Sequence, residues 1–109
     1  MREISKKEVR LFIDKKNNSN PFEKWLDGLE KSEEGVIEKR IKRVREGNYG
    51  DYKSLGGGIL ELRFHQGYRI YFTEVGNTIV ILLCGGDKSN QEKDIAKAKE
   101  YKRRLDEES

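Results

Sequence analysis

Apolar positions along the chain follow two different periods, and the changes between them mark the elements. Val9, Leu11 and Ile13 alternate with Arg10, Phe12 and Asp14, which predicts a strand over residues 6–14. The polar run Asp14 to Asn20 turns the chain. Asn20-Pro21-Phe22-Glu23 is a helix start: Asn20 caps, Pro21 suits the first turn and Glu23 reaches back. Phe22, Trp25, Leu26 and Leu29 then fall on one helical stripe. A second helix, with Ser32 as its expected cap, carries Ile37, Ile41 and Val44 and stops at Gly47. Tyr49 to Gly58 has no period and is expected to be a loop. Three strands follow, at about 59–65, 68–75 and 78–84, the last two joined by a tight turn at Gly76-Asn77. Ile79 to Cys84 is apolar on both faces, which places it centrally in a sheet. Gly85-Gly86 is expected to break it. Ser89 to Glu92 has capping-box spacing for a last helix, with Ile95, Ala98, Tyr101 and Leu105 as its stripe. The expected order is β-α-α-β-β-β-α, one α+β domain spanning 1–109, with a largely antiparallel four-stranded sheet, two N-terminal helices and one C-terminal helix.

The hairpin around Gly67 permits a sharper inference. If His65-Gln66-Gly67 forms a three-residue loop with Gly67 in the left-handed region, Phe64 meets Tyr68, Leu62 meets Ile70 and Leu60 meets Phe72. All six then share a core face. A two-residue loop would mix the faces and lose. The favoured register sends Glu61, Arg63, His65, Arg69 and Tyr71 to the other face, with Arg63 directly across from Arg69. Like charges in that arrangement cost on the order of 0.2–1 kcal/mol. Two readings account for them: an anion between the guanidiniums, whose planar forks suit phosphate, or neutralisation by Glu61 in a salt bridge.

Composition narrows the classes without choosing among them. Apolar residues make up 34% of the chain and charged residues 39%, with a net charge of +3, so the core is modest and disorder is the first alternative. Clustered, periodic apolar positions and ten aromatic residues (Trp25, four Phe and five Tyr) argue for a packed domain instead. The single cysteine, Cys84, allows no intramolecular disulfide and fits a reducing compartment. Met1 to Lys7 has no signal-peptide core, and the run Ile79–Cys84 is too short to span a bilayer, so a cytoplasmic protein is expected. There is no Cys/His metal constellation, P-loop or dinucleotide fingerprint, and no metal or cofactor is expected.

Other residues each carry a functional and a plain reading. Gly85-Gly86-Asp87-Lys88 before a helix can turn N–H groups toward an anion or be an ordinary turn, with Lys88 a mobile cation and Asp87 an orienting group. His65, the only histidine, sits at the rim of the arginine face, where imidazole can transfer a proton or stack on a base. Lys53 lies on the expected loop and can reach phosphate. Arg43 belongs to a basic run, Lys39 to Arg45, which tracks a nucleic-acid backbone or is a solvated face balanced by Glu33, Glu34, Glu38 and Glu46.

Several blocks taken together have a family likeness: Ile59-Leu60-Glu61-Leu62-Arg63, Gly67-Tyr68-Arg69-Ile70-Tyr71-Phe72, Leu82-Leu83-Cys84-Gly85-Gly86-Asp87-Lys88-Ser89-Asn90-Gln91 and Asp94-Ile95-Ala96-Lys97-Ala98. With Phe22-Glu23-Lys24-Trp25-Leu26 and Glu46 to Asp51, they resemble the addiction-module killer proteins of the RelE/HigB toxin superfamily over nearly the whole chain. The resemblance implies a toxin held silent by an antitoxin, usually encoded beside it, and for many relatives metal-free cleavage of mRNA on the ribosome by attack of the ribose 2′-hydroxyl. It assigns Arg63 and Arg69 to the scissile phosphate, Lys53 to an active-site loop, and Asp87 and Lys88 to a C-terminal polar cluster. Lys53, His65 and Asp87 all stay open as the proton-transfer group. Tyr71 and Arg43 join His65 as expected substrate-binding residues. The hairpin turn is shorter than in the nearest relatives. Two other classes remain: a gyrase-poisoning toxin of the ParE branch, which shares the fold, and a non-toxic nucleic-acid or protein binding module.

Overall fold

The computed structural model describes residues 6–108, so the first five residues of the leader reading lie outside it. The elements are β1 (Glu8–Leu11), α1 (Pro21–Asp27), α2 (Lys31–Arg45), β2 (Tyr52–Gly56), β3 (Ile59–Arg63), β4 (Tyr68–Val75), β5 (Ile79–Asp87), a single 3₁₀ turn (Lys88–Asn90) and α3 (Gln91–Glu107). The sheet has five strands in the order β1-β5-β4-β3-β2. It is mixed rather than four-stranded: β1 runs parallel to β5, and the other three pairings are antiparallel. The extra strand is β2, from the segment expected to be a loop. Its exposed, glycine-ended sequence Tyr-Lys-Ser-Leu-Gly shows no clear alternation, and β3 supplies the pairing that local pattern does not.

The hairpin register is the one the apolar pattern requires. Leu60 pairs with Phe72, Leu62 with Ile70, and Arg63 with Arg69. The Phe64 N–H donates to the Tyr68 carbonyl at 3.1 Å and the Gly67 N–H to the Phe64 carbonyl at 2.9 Å, with Gly67 at φ +101°. Only glycine adopts such a backbone without strain.

One face of the sheet packs Leu62, Ile70, Phe72, Val80 and Leu82 against Phe22, Ile37, Ile41 and Val44 of α1 and α2. The other face is the one to which the hairpin register sends Glu61, Arg63, Arg69 and Tyr71. It holds a second core: Ile59, Tyr71, Ile81, Leu83 and Cys84 lie beneath Ala98, Ile95, Tyr101 and Leu105 of α3. The α3 stripe needs an apolar partner, and this face provides it. Cys84 is buried there, and desolvation pushes its thiol up to about 12, which leaves it un-ionised at neutral pH.

Three local starts differ from expectation. α2 begins before Ser32: the Glu33 carboxylate accepts from the Glu30 N–H at 3.0 Å. α3 begins at Gln91, after a 3₁₀ turn whose cap is Asp87, accepting from the Ser89 N–H at 2.8 Å. Gly85 and Gly86 do not break the strand but continue it, paired with Ile70 and Arg69. Neither has a positive φ. They are small because their neighbours lie on them: a Cβ at Gly85 would fall 2.2 Å from the Trp25 ring, and one at Gly86 1.9 Å from Asp94 Oδ2. The pair is therefore a packing device and not an anion-binding loop. Gly85→Ala should lower stability by about 1–3 kcal/mol through overpacking against Trp25, measured by urea denaturation; an unchanged midpoint would contradict the packing role.

Candidate functional site

A cleft of about 530 Å³ opens at the end of the sheet, where β2 begins and β3 finishes. Arg40, Arg43, Gly50, Asp51, Arg63, Phe64, His65 and Arg69 line it. Four guanidiniums and the one histidine therefore share a space the size of a nucleotide site.

Each wall has a structural reason. The Arg63 N–H donates to the Asp51 carbonyl at 2.9 Å, which fixes the mouth of β2 to the end of β3. Arg40 reaches from α2 and donates to the carbonyls of Tyr49 (2.7 Å), Asp51 (2.6 Å) and Arg63 (3.1 Å). Its guanidinium also sits 4.7 Å from the Phe64 ring centroid. Burial is the first cause lowering its pKa, with Arg43 adding to the effect and Asp51 opposing it. Three main-chain acceptors and a ring make Arg40 the strut of the cleft rather than a free cation. The sequence reading placed Arg40 only in the basic run of α2; its spacing of three from Arg43, one side of a helix, was the signal available.

The two paired arginines are not equivalent. The Arg69 side chain is 11% exposed, and its Nη1 donates to the Tyr68 carbonyl at 2.9 Å and the Phe64 carbonyl at 3.4 Å. It fastens the ends of the hairpin turn. Arg63 is 41% exposed and lines the open cleft. Glu61 lies between them, 1% exposed, with Oε1 3.6 Å from Arg63 Nε and Oε2 4.0 Å from Arg69 Nε. Both readings of the pair thus hold in part: a carboxylate neutralises it from within, and one guanidinium faces an open cleft.

The structure brings Arg43, Arg63, Arg69 and His65 together, with Arg43 and His65 exposed. It separates the others. Lys53 sits on strand β2, not on a loop, opposite Glu61 and exposed. Lys88 lies over the hairpin turn, its N–H donating to the Gly67 carbonyl at 2.9 Å. Asp87 is taken up by Ser89, whose hydroxyl and N–H hold its carboxyl below the usual range. It lines a different cleft of about 370 Å³ with Trp25, Gly86, Asp94 and Lys97. There burial pushes the Asp94 carboxyl up. Tyr71 is the clear correction: it is fully buried under α3 and touches no solvent. Burial first, then the charge of Glu61, raises its phenol, and its hydroxyl has no hydrogen-bond partner of good geometry among the described residues.

The fold and cleft define a class of small α+β domain: a mixed sheet between two helical layers, with a basic recess at the sheet's end. The sequence places the chain more closely. The family model described as phage-derived protein Gp49-like (DUF891) matches residues 24–106, from within α1 to the end of α3, and the chain belongs to that family. This is a RelE- and addiction-module-like toxin family. An uncharacterized protein of Haemophilus influenzae is 51% identical over 81 residues, covering 72% of this chain and 82% of that one.

Arg69→Ala should cost about 1–3 kcal/mol, because it leaves two hairpin carbonyls and the Glu61 carboxylate short of a partner. Arg63→Ala should stay within about 1 kcal/mol of the parent, as an exposed charge does. Paired thermal melts test the asymmetry, and equal losses would refute it. Tyr71→Phe should change stability by less than about 1 kcal/mol, since it deletes a buried hydroxyl with no good partner, and should leave any RNA affinity unchanged. A loss of affinity in a filter-binding assay would restore Tyr71 to the site.

Proposed function

We propose that this protein is the toxin of a toxin–antitoxin module and a ribosome-dependent mRNA endonuclease, with the Arg63 cleft as its phosphate site. The observation that carries the reading is the convergence of Arg43, Arg63 and His65 on one open recess, buttressed by Arg40 and Arg69. Backbone-anchored cations around a recess are preorganised for a phosphate whose charge grows in the transition state. In the reaction the ribose 2′-oxygen attacks phosphorus, the bond to the 5′-oxygen breaks, and the products are a 2′,3′-cyclic phosphate and a 5′-hydroxyl. Arg63 and Arg43 bind the non-bridging oxygens. His65, the one imidazole, stands at the cleft in position to accept the 2′-hydroxyl proton or to protonate the leaving oxygen. Lys88, above the hairpin, is the further cation for an adjacent phosphate.

Family membership supports a partner antitoxin that silences the chain. No helix among the described residues is long and apolar enough to cross a membrane.

Purified protein added to translating ribosomes should cut mRNA at codon-defined positions. Arg63→Ala should lower the rate by about 10²–10³-fold and His65→Ala by about 10²–10⁴-fold, with both folds intact by circular dichroism. Expression without an antitoxin should arrest growth, and Arg63→Ala should relieve the arrest. Cleavage by neither protein nor ribosome-bound protein, with inhibition of DNA supercoiling in its place, would replace the nuclease with a gyrase poison.

A further inference from the structure

Glu61 is the least expected residue near the cleft. A fully buried carboxylate requires partners, and solvent supplies none here. Among the described residues, its good hydrogen bond comes from Gln91 at the start of α3, whose Nε2 donates to Oε2 at 2.7 Å. The two guanidinium contacts, at 3.6 and 4.0 Å, are longer than hydrogen bonds. Arg69 Nε is buried with no hydrogen-bond acceptor among the described residues. Lys53 and Tyr71 flank Glu61 in register on the neighbouring strands. The carboxylate therefore neutralises the arginine pair by charge while leaving Arg63 loosely held. A phosphate oxygen in the cleft offers Arg63 a shorter, charge-assisted bond.

We propose that Glu61 is a built-in counter-anion for Arg63, which RNA phosphate must displace. It acts through Arg63 and is a positioning residue. Two consequences follow. Without RNA the pair stays folded against its own carboxylate, so the like charges of the ladder are not left opposed. With free RNA the domain binds weakly, because part of each phosphate contact is spent replacing Glu61. Single-stranded RNA presented at high effective concentration, as on a larger assembly, overcomes that competition. The inference rests on the phosphate reading of the cleft.

The test compares Glu61→Gln with Arg63→Ala and the double variant, in binding of a short single-stranded RNA across a salt series. Glutamine keeps the shape and an acceptor for Gln91 but removes the charge. Glu61→Gln should bind free RNA about tenfold tighter, and the slope of log K against log salt should steepen by about 0.7, one further phosphate contact. Arg63→Ala should bind more weakly with a shallower slope, and the double variant should lose the gain. A merely structural Glu61 would lower stability and affinity together and leave the slope unchanged. No gain in Glu61→Gln, or a gain that survives in the double variant, overturns the proposal. If Arg63→Ala binds like the parent, the phosphate reading itself fails. Should Glu61→Gln not fold, the wild-type protein decides by NMR: RNA should move the Arg63 Nε–H resonance and leave that of Arg69 in place. An RNA titration that shifts His65 but not Arg63 would also overturn it.

Discussion

The turn at Gly67 sets everything else in the molecule. Because that residue takes a left-handed backbone, the loop has three residues and the ladder of β3 and β4 has one register. A slip by one position would drive Leu60, Leu62, Ile70 and Phe72 out of the core and the two arginines into it. The same register places Arg63 at the end of its strand, where β2 begins, and so at the mouth of a cleft. Core packing and functional geometry share this single constraint. The structure then manages its electrostatic cost with Glu61 from within and with hairpin carbonyls around Arg69.

The second constraint is α3. By laying an apolar stripe across the face that carries Tyr71, it turns what would be an open platform into a core with a polar end. Glu61 and Arg69 are drawn in at the edge of that core, and Gln91, the first residue of the helix, reaches the carboxylate. The approach is so close that Gly86 has no room for a side chain beneath Asp94. The cleft beside it is framed by α2 on one side and the hairpin on the other, and it presents one half-exposed sheet arginine rather than two.

Much of this was legible in the residues. The three helices, the hairpin register, the central β5 and the opposition of Arg63 and Arg69 all follow from periodicity and one glycine. β2 was not legible, because an exposed edge strand that ends at the first of three glycines carries no alternating signal; its partner imposes it. The parallel pairing of β1 is a matter of topology, which local pattern does not encode. The burial of Tyr71 was the avoidable miss. Ile59, Ile81 and Leu83 share its face, and the α3 stripe covers that surface; the face is charged at one end and apolar at the other. Arg40 was hidden for a different reason, since its role depends on carbonyls supplied by distant turns.

The chain's charge distribution bears on how such a site can be selective. Basic and acidic residues nearly balance, 23 against 20, so the molecule projects little long-range attraction for a polyanion. Three cations of α3 are paired with neighbours: Lys102 with Asp106, Arg103 with Glu100 and Glu107, Arg104 with Glu100 and Asp14. Arg43 in the cleft makes no ion pair among the described residues. In a molecule this close to neutral, the pull of each unpaired cation is confined to its own surroundings. Attraction confined in this way acts only at short range, within about a Debye length of 8 Å at physiological salt. If the cleft takes RNA phosphate as proposed, such a surface gains little from sliding along free nucleic acid and most from a phosphate already held in place. On the proposed function, the small net charge, the internal carboxylate and the half-committed arginine pair act in one direction: each favours a phosphate that arrives already in the right geometry.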